Sequence, residues 1–227
     1  MRLSIVIPAL NEADNIVATL TPLQALRARG VEVLLVDGAS VDTTRDVAAP
    51  LVDRVIEAET GRARQMNAGA EAATGAVLLF LHADSRPPLD ADRSILDALQ
   101  SSPRGWGRFD VTIEGRHFFL PVVAWFMNQR SRLTGIATGD QGLFMTREAY
   151  AAAGGFADIP LMEDIAMCAA LKRSSLPVCL KQRIVTSGRR WEKHGVWRTI
   201  LLMWRIRWAY FRGADPVVLH RAYHGTR

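Results

Sequence analysis

The sequence predicts an α/β fold, a mostly parallel central sheet with helices on both faces. Three observations predict it. Strand-like and helix-like segments alternate through the first half, the strand-like segments are near-continuous apolar runs, and polar residues gather just after their carboxyl ends. Strands buried on both faces read as unbroken hydrophobic runs. Alternation with helices marks a layered sheet, and the carboxyl edge of such a sheet is where ligands bind.

Leu3 to Ile7 is an apolar run stopped by Pro8, and Asn11 offers an N-cap to a helix carrying Ile16, Leu20 and Leu23 at helical spacing. Val31 to Val36 is a second strand, ending at Asp37-Gly38-Ala39-Ser40, with Asp42 as a cap for the next helix. Val52 to Ile56 is a third strand, and Gly61 to Thr74 reads as a helix with an N-terminal loop. Val77 to Leu81, fully apolar, is a fourth strand ending at His82-Ala83-Asp84. The second half is less regular. Gly107 to Glu114 alternates as a strand, and Phe118 to Met127 is apolar with Pro121 inside. Gly139-Asp140-Gln141-Gly142 precedes a short strand, Leu143 to Thr146. Arg147 to Ala153 is a helix that stops at Gly154-Gly155, and another helix runs from Glu163-Asp164 to about Arg173. Arg183 to Thr186 is a last strand, and Val196 to Arg212 a long amphipathic helix. No linker, repeat or low-complexity segment divides the 227 residues. One domain is expected, with a nucleotide-type half (1–100), an acceptor-type and catalytic half (101–190), and an amphipathic helix with its tail (191–227).

A hydrophobic content of 49% suffices for a substantial core and argues against disorder. A net charge of +5 and a pI of about 9.8 favour an anionic partner. Cys168 and Cys179 are the only cysteines, which makes a reducing, cytoplasmic setting the expectation. The first apolar run is too short for a signal peptide, and no stretch reaches the roughly eighteen apolar residues of a spanning helix.

Several motifs carry chemistry, each with a plainer reading beside it. Asp37 after a strand can accept from a base or ribose hydroxyl, or belong to an ordinary turn. His82 and Asp84, two residues apart at a strand end, suit a divalent cation bridging phosphates, or a turn before Pro87-Pro88. Arg62 and Arg64 at a helix start suit a diphosphate, or a solvated helix face. Arg189-Arg190-Trp191 suits a nucleotide leaving group, or arginine stems packed on a ring. The pair Glu163-Asp164 opens a helix beside an apolar segment. Adjacent helical residues point about 100° apart, so the two cannot share one role. One is a candidate general base; both also suit the positive end of a helix. Trp197, Ile200, Leu201, Trp204, Trp208 and Phe211 recur at helical spacing, with Arg198, Arg205 and Arg212 on another face, joined by Arg207. That pattern fits an interfacial helix on an anionic membrane, or a helix packed on the core with a basic outer face. Only the last quarter combines basic and aromatic residues, so no nucleic acid partner is expected. The glycine-rich dinucleotide fingerprint, the P-loop, zinc-spaced histidines and a nucleophile elbow are absent.

Together these residues resemble the family 2 glycosyltransferases of GT-A fold. The resemblance runs through Ser4 to Glu12, Val36 to Asp42, Leu79 to Asp84, Gly139 to Gly142, Glu163-Asp164 and Thr186 to Trp191. With His-Ala-Asp, Gly-Asp-Gln-Gly and Pro-Leu-Met-Glu-Asp, the chain looks most like a small bacterial subfamily associated with radical-SAM or selenium-domain gene neighbourhoods. The resemblance implies a nucleoside pocket at Pro8, Ala9, Glu12, Asp37 and Asp42, usually for uridine diphosphate, and Arg189, Arg190 and Trp191 resemble the Arg-Trp element of processive members. Arg62, by its guanidinium, is expected toward the nucleotide with Arg189 and Arg190. It places a divalent cation (Mg²⁺ or Mn²⁺) at Asp84, with His82 standing where the family's metal-binding motif has its first Asp. It makes Asp164 the catalytic base, with Glu163 beside it bracing it or binding acceptor. Asp140, Gln141 and Trp191 fall on the acceptor side. The implied activity is a metal-dependent, inverting hexosyltransferase making single transfers from a nucleotide sugar to an unidentified acceptor hydroxyl. The apolar region Phe118 to Met127 together with the last helix points to a lipid-linked acceptor at the inner face of the membrane. The rival readings are a nucleotidyltransferase of related fold and a non-catalytic, basic membrane-surface protein.

Overall fold

The computed structural model describes residues 1–225. One eight-stranded sheet crosses the molecule in the order β3-β2-β1-β4-β7-β6-β8-β5. Its first four strands are β1 (Leu3–Ala9), β2 (Glu32–Asp37), β3 (Arg54–Glu57) and β4 (Val77–Phe80), all parallel. Every residue of β1, β2 and β4 is buried, as their unbroken apolar runs require. The mostly parallel expectation holds, with four of the seven strand pairings parallel, and the antiparallel pairings all lie beyond this group. β7 (Leu143–Thr146) runs antiparallel to β4 and to β6 (Trp106–Glu114), β6 pairs in parallel with β8 (Val178–Ser187), and the two-residue β5 (Ser85–Arg86) lies antiparallel on β8.

Helices α1 (Ala13–Arg27), α2 (Thr44–Ala48), α3 (Arg62–Ala72) and α4 (Ala91–Gln100) follow strands of the first half. Two apolar layers fill the sheet's two faces. Ile5, Ile7 and Leu35 meet Ile16, Leu20 and Leu23 on one side, while Val6, Leu34 and Leu78 meet Met66 and Ala70 on the other. The second half adds α5 (Leu120–Thr134), α6 (Arg147–Ala153), α7 (Glu163–Leu171), α8 (Arg189–His194), α9 (Val196–Phe211) and α10 (Pro216–His224). The Thr146 side chain caps α6 by accepting from Ala149 N at 3.1 Å, and left-handed Gly154 ends it. Asp215 caps α10 ahead of Pro216, accepting from Val217 N at 2.8 Å.

Four expectations change. Pro8 does not stop β1: the strand continues through it to Ala9. Asn11 is not a helix cap. It sits at φ 53° and its side chain accepts from Val41 N at 2.9 Å, while Glu12 occupies the cap position. Asp42 lies one residue ahead of the cap position, held by Thr43, and accepts from Thr44 N at 2.9 Å and Ala13 N at 3.2 Å. The last strand begins at Val178, five residues before the expected Arg183.

α9 is packed and exposed at once. Val196, Thr199 and Ile206 are buried. Ile206 joins Met162, Ile165 and Leu219, so α9 and α10 both rest on the start of α7. The tryptophan stripe faces outward: Trp197, Trp204 and Trp208 are all exposed. No described helix is long and apolar enough to cross a membrane.

Candidate active site

The carboxyl ends of β1 and β4 open onto one cleft, closed from the other side by the 139–141 turn and the start of α7. Pro8, Met66, His82, Gly139, Glu163 and Asp164 line its floor, with Phe80 and Phe156 behind them.

Asp164 is half-buried on this floor. Its Oδ2 accepts from Gly139 N at 2.9 Å and its Oδ1 from Ile165 N at 2.7 Å. Burial against the apolar wall, and then the charge of Glu163, push its pKa up to about 6; the two N–H groups and Arg62 only partly offset them. Met162, just before, is held at φ 73° and buried with Ile165, a left-handed conformation that costs a non-glycine residue about 1–3 kcal/mol. As consecutive residues of one helix, the two carboxylates point in different directions. Glu163 is buried and faces Arg62 Nη1 at 3.8 Å. Against burial, Glu163 and more distant Tyr223, Asp140 and Asp164 hold Arg62 above its usual pKa.

The nucleotide side is a pair of laced loops. Asn11 N donates to Ser40 Oγ at 2.9 Å, Glu12 N to Thr44 Oγ1 at 2.8 Å, and Gln65 Nε2 to the carbonyls of Ala9 and Val36, each at 2.8 Å. Asp37 is fully buried. Its Oδ2 accepts from Ser40 N at 3.0 Å, but its Oδ1 has no hydrogen-bond partner. A buried carboxylate oxygen without a donor is costly, so this atom is suited to a ligand N–H or O–H. Asp42 is exposed and spends both oxygens on Thr44 and Ala13, fastening the loops. The Thr44 bond holds its pKa below the usual range.

Arg189 Nη2 lies 3.6 Å from Glu12 Oε2 and 3.8 Å from Asp84 Oδ2, bridging the β1 and β4 loops. Arg190 stacks its guanidinium 3.5 Å from the centre of the Tyr223 ring. Arg64 turns away, to Asp158 and Glu59.

Three placements differ from the sequence-based ones. His82 is not turned to Asp84: its Nδ1 pairs with Asp140 Oδ1 at 3.2 Å, and its ring lies so close over Gly139 that a Cβ there would sit 2.0 Å from Nε2. Burial would raise the Asp140 pKa, but the His82 bond and the charges of His82, Arg62 and Arg190 hold it below the usual range. Gln141 is fully buried and points inward, its Nε2 donating to Ser131 Oγ at 3.0 Å and Asn128 Oδ1 at 3.3 Å, so it shapes the turn and meets no acceptor. Trp191 packs on the cluster of Val111, Ile113 and Leu120.

Among the described residues no three His, Cys, Asp or Glu side chains come together as a metal cage. Mg²⁺-type ions need less: one or two carboxylates plus substrate phosphates. The half-buried Asp84 carboxylate, which shares Arg189 with Glu12, fits that requirement, whereas His82 is engaged with Asp140.

Behind the turn lies a polar layer that sequence reasoning missed. Fully buried Arg108 pairs with Asp110, which also binds Arg132 at 2.6 Å. Arg130 feels the charges of Asp164 and Asp140, and its Nε and Nη2 are buried without a hydrogen-bond partner. Burial pushes its pKa down while those two carboxylates oppose the shift. The alternation of Arg108 and Asp110 on one face of a strand was the available signal.

Comparison with known proteins places the fold and the family. Over 88 residues the chain is 42% identical to a PGL/p-HBAD biosynthesis glycosyltransferase of Mycobacterium tuberculosis, covering 36% of this chain and 34% of that protein. An uncharacterized glycosyltransferase of Nostoc sp. is 32% identical over 91 residues, 37% of this chain and 28% of its own length. The matches thus span about a third of these curated relatives. In fold, the chain superposes on Staphylococcus aureus TarS 1–349 in complex with UDP at a TM-score of 0.66 and 16% identity, covering 82% of this chain and 60% of that one. It superposes on a Pyrobaculum calidifontis mannosyltransferase in complex with GDP-Man and Mn²⁺ at 0.65 and 22%, covering 98% and 68%. For glucosyl-3-phosphoglycerate synthase of M. tuberculosis, in complex with Mn²⁺, UDP and glucosyl-3-phosphoglycerate, the values are 0.61 and 18%, covering 82% and 70%. These solved structures establish the GT-A architecture. The family model described as "Glycosyl transferase family 2" matches residues 4–155, which hold the laced loops, the Asp84 strand end and the Gly139 turn, and the chain belongs to that family.

Proposed function

We propose that this protein is an inverting hexosyltransferase that moves a sugar from a uridine-diphosphate sugar to an acceptor hydroxyl. Asp164 carries the reading. A hydroxyl is a weak nucleophile at neutral pH, and a carboxylate with its pKa near 6 is ionised at pH 7 yet basic enough to take the proton as attack begins. The hydroxyl oxygen bonds to the anomeric carbon, the bond from that carbon to the diphosphate oxygen breaks on the opposite face, and the electron pair leaves with the nucleoside diphosphate. One displacement inverts the anomeric centre.

Asp37 Oδ1 would accept from the nucleoside, with Pro8, Ala9 and Glu12 around it. Arg62, Arg189 and Arg190 would meet the charge developing on the diphosphate, where charge-assisted bonds are strongest. Arg189 would exchange its two loose carboxylate contacts for the diphosphate. A divalent cation held by Asp84 and the diphosphate oxygens would supply further neutralisation of the leaving group. Asp140, paired with His82 at the rim, stands on the acceptor side. Within the family, the His-Ala-Asp and Gly-Asp-Gln-Gly sequences favour the small bacterial subfamily named above. The exposed tryptophans and arginines of Val196–Arg212 favour a lipid-linked acceptor met at the inner face of the membrane.

The test is a thermal-shift panel of nucleoside diphosphates and nucleotide sugars with Mg²⁺ or Mn²⁺. Uridine diphosphate should raise the melting temperature most, and Asp37→Ala should abolish that response while the protein stays folded. No response to any nucleotide would overturn the reading.

A further inference from the structure

Two helices, not one, leave aromatic faces in water. On α9 the exposed Trp197, Leu201, Trp204, Trp208 and Phe211 fall within one narrow stripe, with Trp204 71% exposed. At 100° per residue, Arg198, Arg205 and Arg212 lie about 60–100° to one side of that stripe, and Arg207 about 80° to the other. Buried Ile206 is diametrically opposite. On α5, Val122, Trp125, Phe126 and Leu133 share an outward face that begins at Phe118, 84% exposed. The helices are neighbours. Val123 and Ala124 of α5 share an apolar cluster with Val196 and Ile200 of α9, and the rings of Phe119 and Trp197 are 4.7 Å apart. Single exposed apolar residues are ordinary; ten large ones on two adjoining helices are not.

We propose that α5 and α9 form a two-helix docking face for an anionic lipid bilayer. Charge selects this occupant. Neither helix contains a single Asp or Glu, and the arginines of α9 flank its tryptophans as headgroup contacts flank an interfacial helix. Arg212 lies over the Trp208 ring at 4.7 Å, putting a cation at the end of the stripe. A second copy of the face would bring arginine against arginine with no carboxylate to offset it. The proposal deepens the lipid-linked reading of the acceptor: α9 also rests on Met162 and Ile165, so one helix joins the membrane face to the segment that carries Asp164.

The full chain should co-sediment with vesicles of phosphatidylglycerol and phosphatidylcholine, at least tenfold less with phosphatidylcholine alone, and its tryptophan fluorescence should be quenched by brominated lipid. The pair Trp125→Glu with Phe126→Glu, on α5, and the pair Trp204→Glu with Trp208→Glu, on α9, should each lower partitioning at least tenfold. The uridine-diphosphate melting shift should be unchanged in both, which separates this proposal from the transferase reading. Wild-type partitioning in the α5 pair, equal binding to uncharged vesicles, or no bromolipid quenching would overturn it. So would a solution dimer that either pair dissociates, since the face would then cover a second copy.

Discussion

Asp164 is held by two backbone N–H groups in a place that disfavours its charge, and those opposing effects make it useful. The N–H bonds fix the carboxylate's direction, while the wall of Met66 and Phe156 and the neighbouring Glu163 keep it basic. The sign of the stability effect follows. A carboxyl group whose pKa is higher in the fold than in the unfolded chain binds its proton more tightly when folded. Its ionisation therefore removes stability progressively between about pH 4 and pH 6, fully so above. The stability of Asp164→Asn relative to wild type should therefore shift in the variant's favour by about 1–2 kcal/mol between about pH 4 and pH 7, on top of a constant cost for the backbone N–H that an amide cannot accept, as read by urea denaturation at each pH. A constant difference across that range would mean that Asp164 is not a buried, destabilised charge.

At the scale of elements, the 139–141 turn depends on a layer it does not display. Asn128 on α5 accepts from Val111 N at 2.8 Å, donates to Val111 O at 3.0 Å, and receives Gln141 Nε2. Asn128→Ala would strand the Val111 groups inside the protein and free Gln141, beside the turn that gives Gly139 N to Asp164. It should cost about 2–4 kcal/mol in urea denaturation, as buried polar groups without partners do. Little of this layer was legible in the sequence. β1, β2 and β4 could be read because burial on both faces leaves an unbroken apolar record. β8 could be read only from its buried end, because Lys181, Gln182 and Arg183 are exposed and hide the first half. α4 went unread although its pattern is legible: Ala91, Ile95 and Leu99 repeat at helical spacing on the buried face, and Arg93 and Asp97 fall on the opposite one. Residue type located the cleft residues, but not the directions of their side chains. Gln141, Trp191 and His82 all sit near the site in sequence order, yet two turn inward and the third turns to Asp140, through contacts with distant segments that no local pattern encodes.

For the whole molecule, the sheet's carboxyl edge and the α5–α9 face are separate surfaces joined by one packed element, α9 on α7. On the proposed reading nucleotide recognition would belong to the first surface and the acceptor's carrier to the second, so each should be removable without the other. The central claim is that Asp164 takes the acceptor's proton. It is tested most directly by the pH dependence of nucleoside diphosphate release from the nucleotide sugar, in wild type and Asp164→Asn, with nucleotide affinity measured alongside. The wild-type rate should fall about tenfold per pH unit below an inflection near pH 6. Asp164→Asn should be slower by about 10²–10⁴ at pH 7, lack that inflection, and bind nucleotide as the wild type does. Turnover within a few-fold of wild type in folded, nucleotide-binding Asp164→Asn would contradict the assignment.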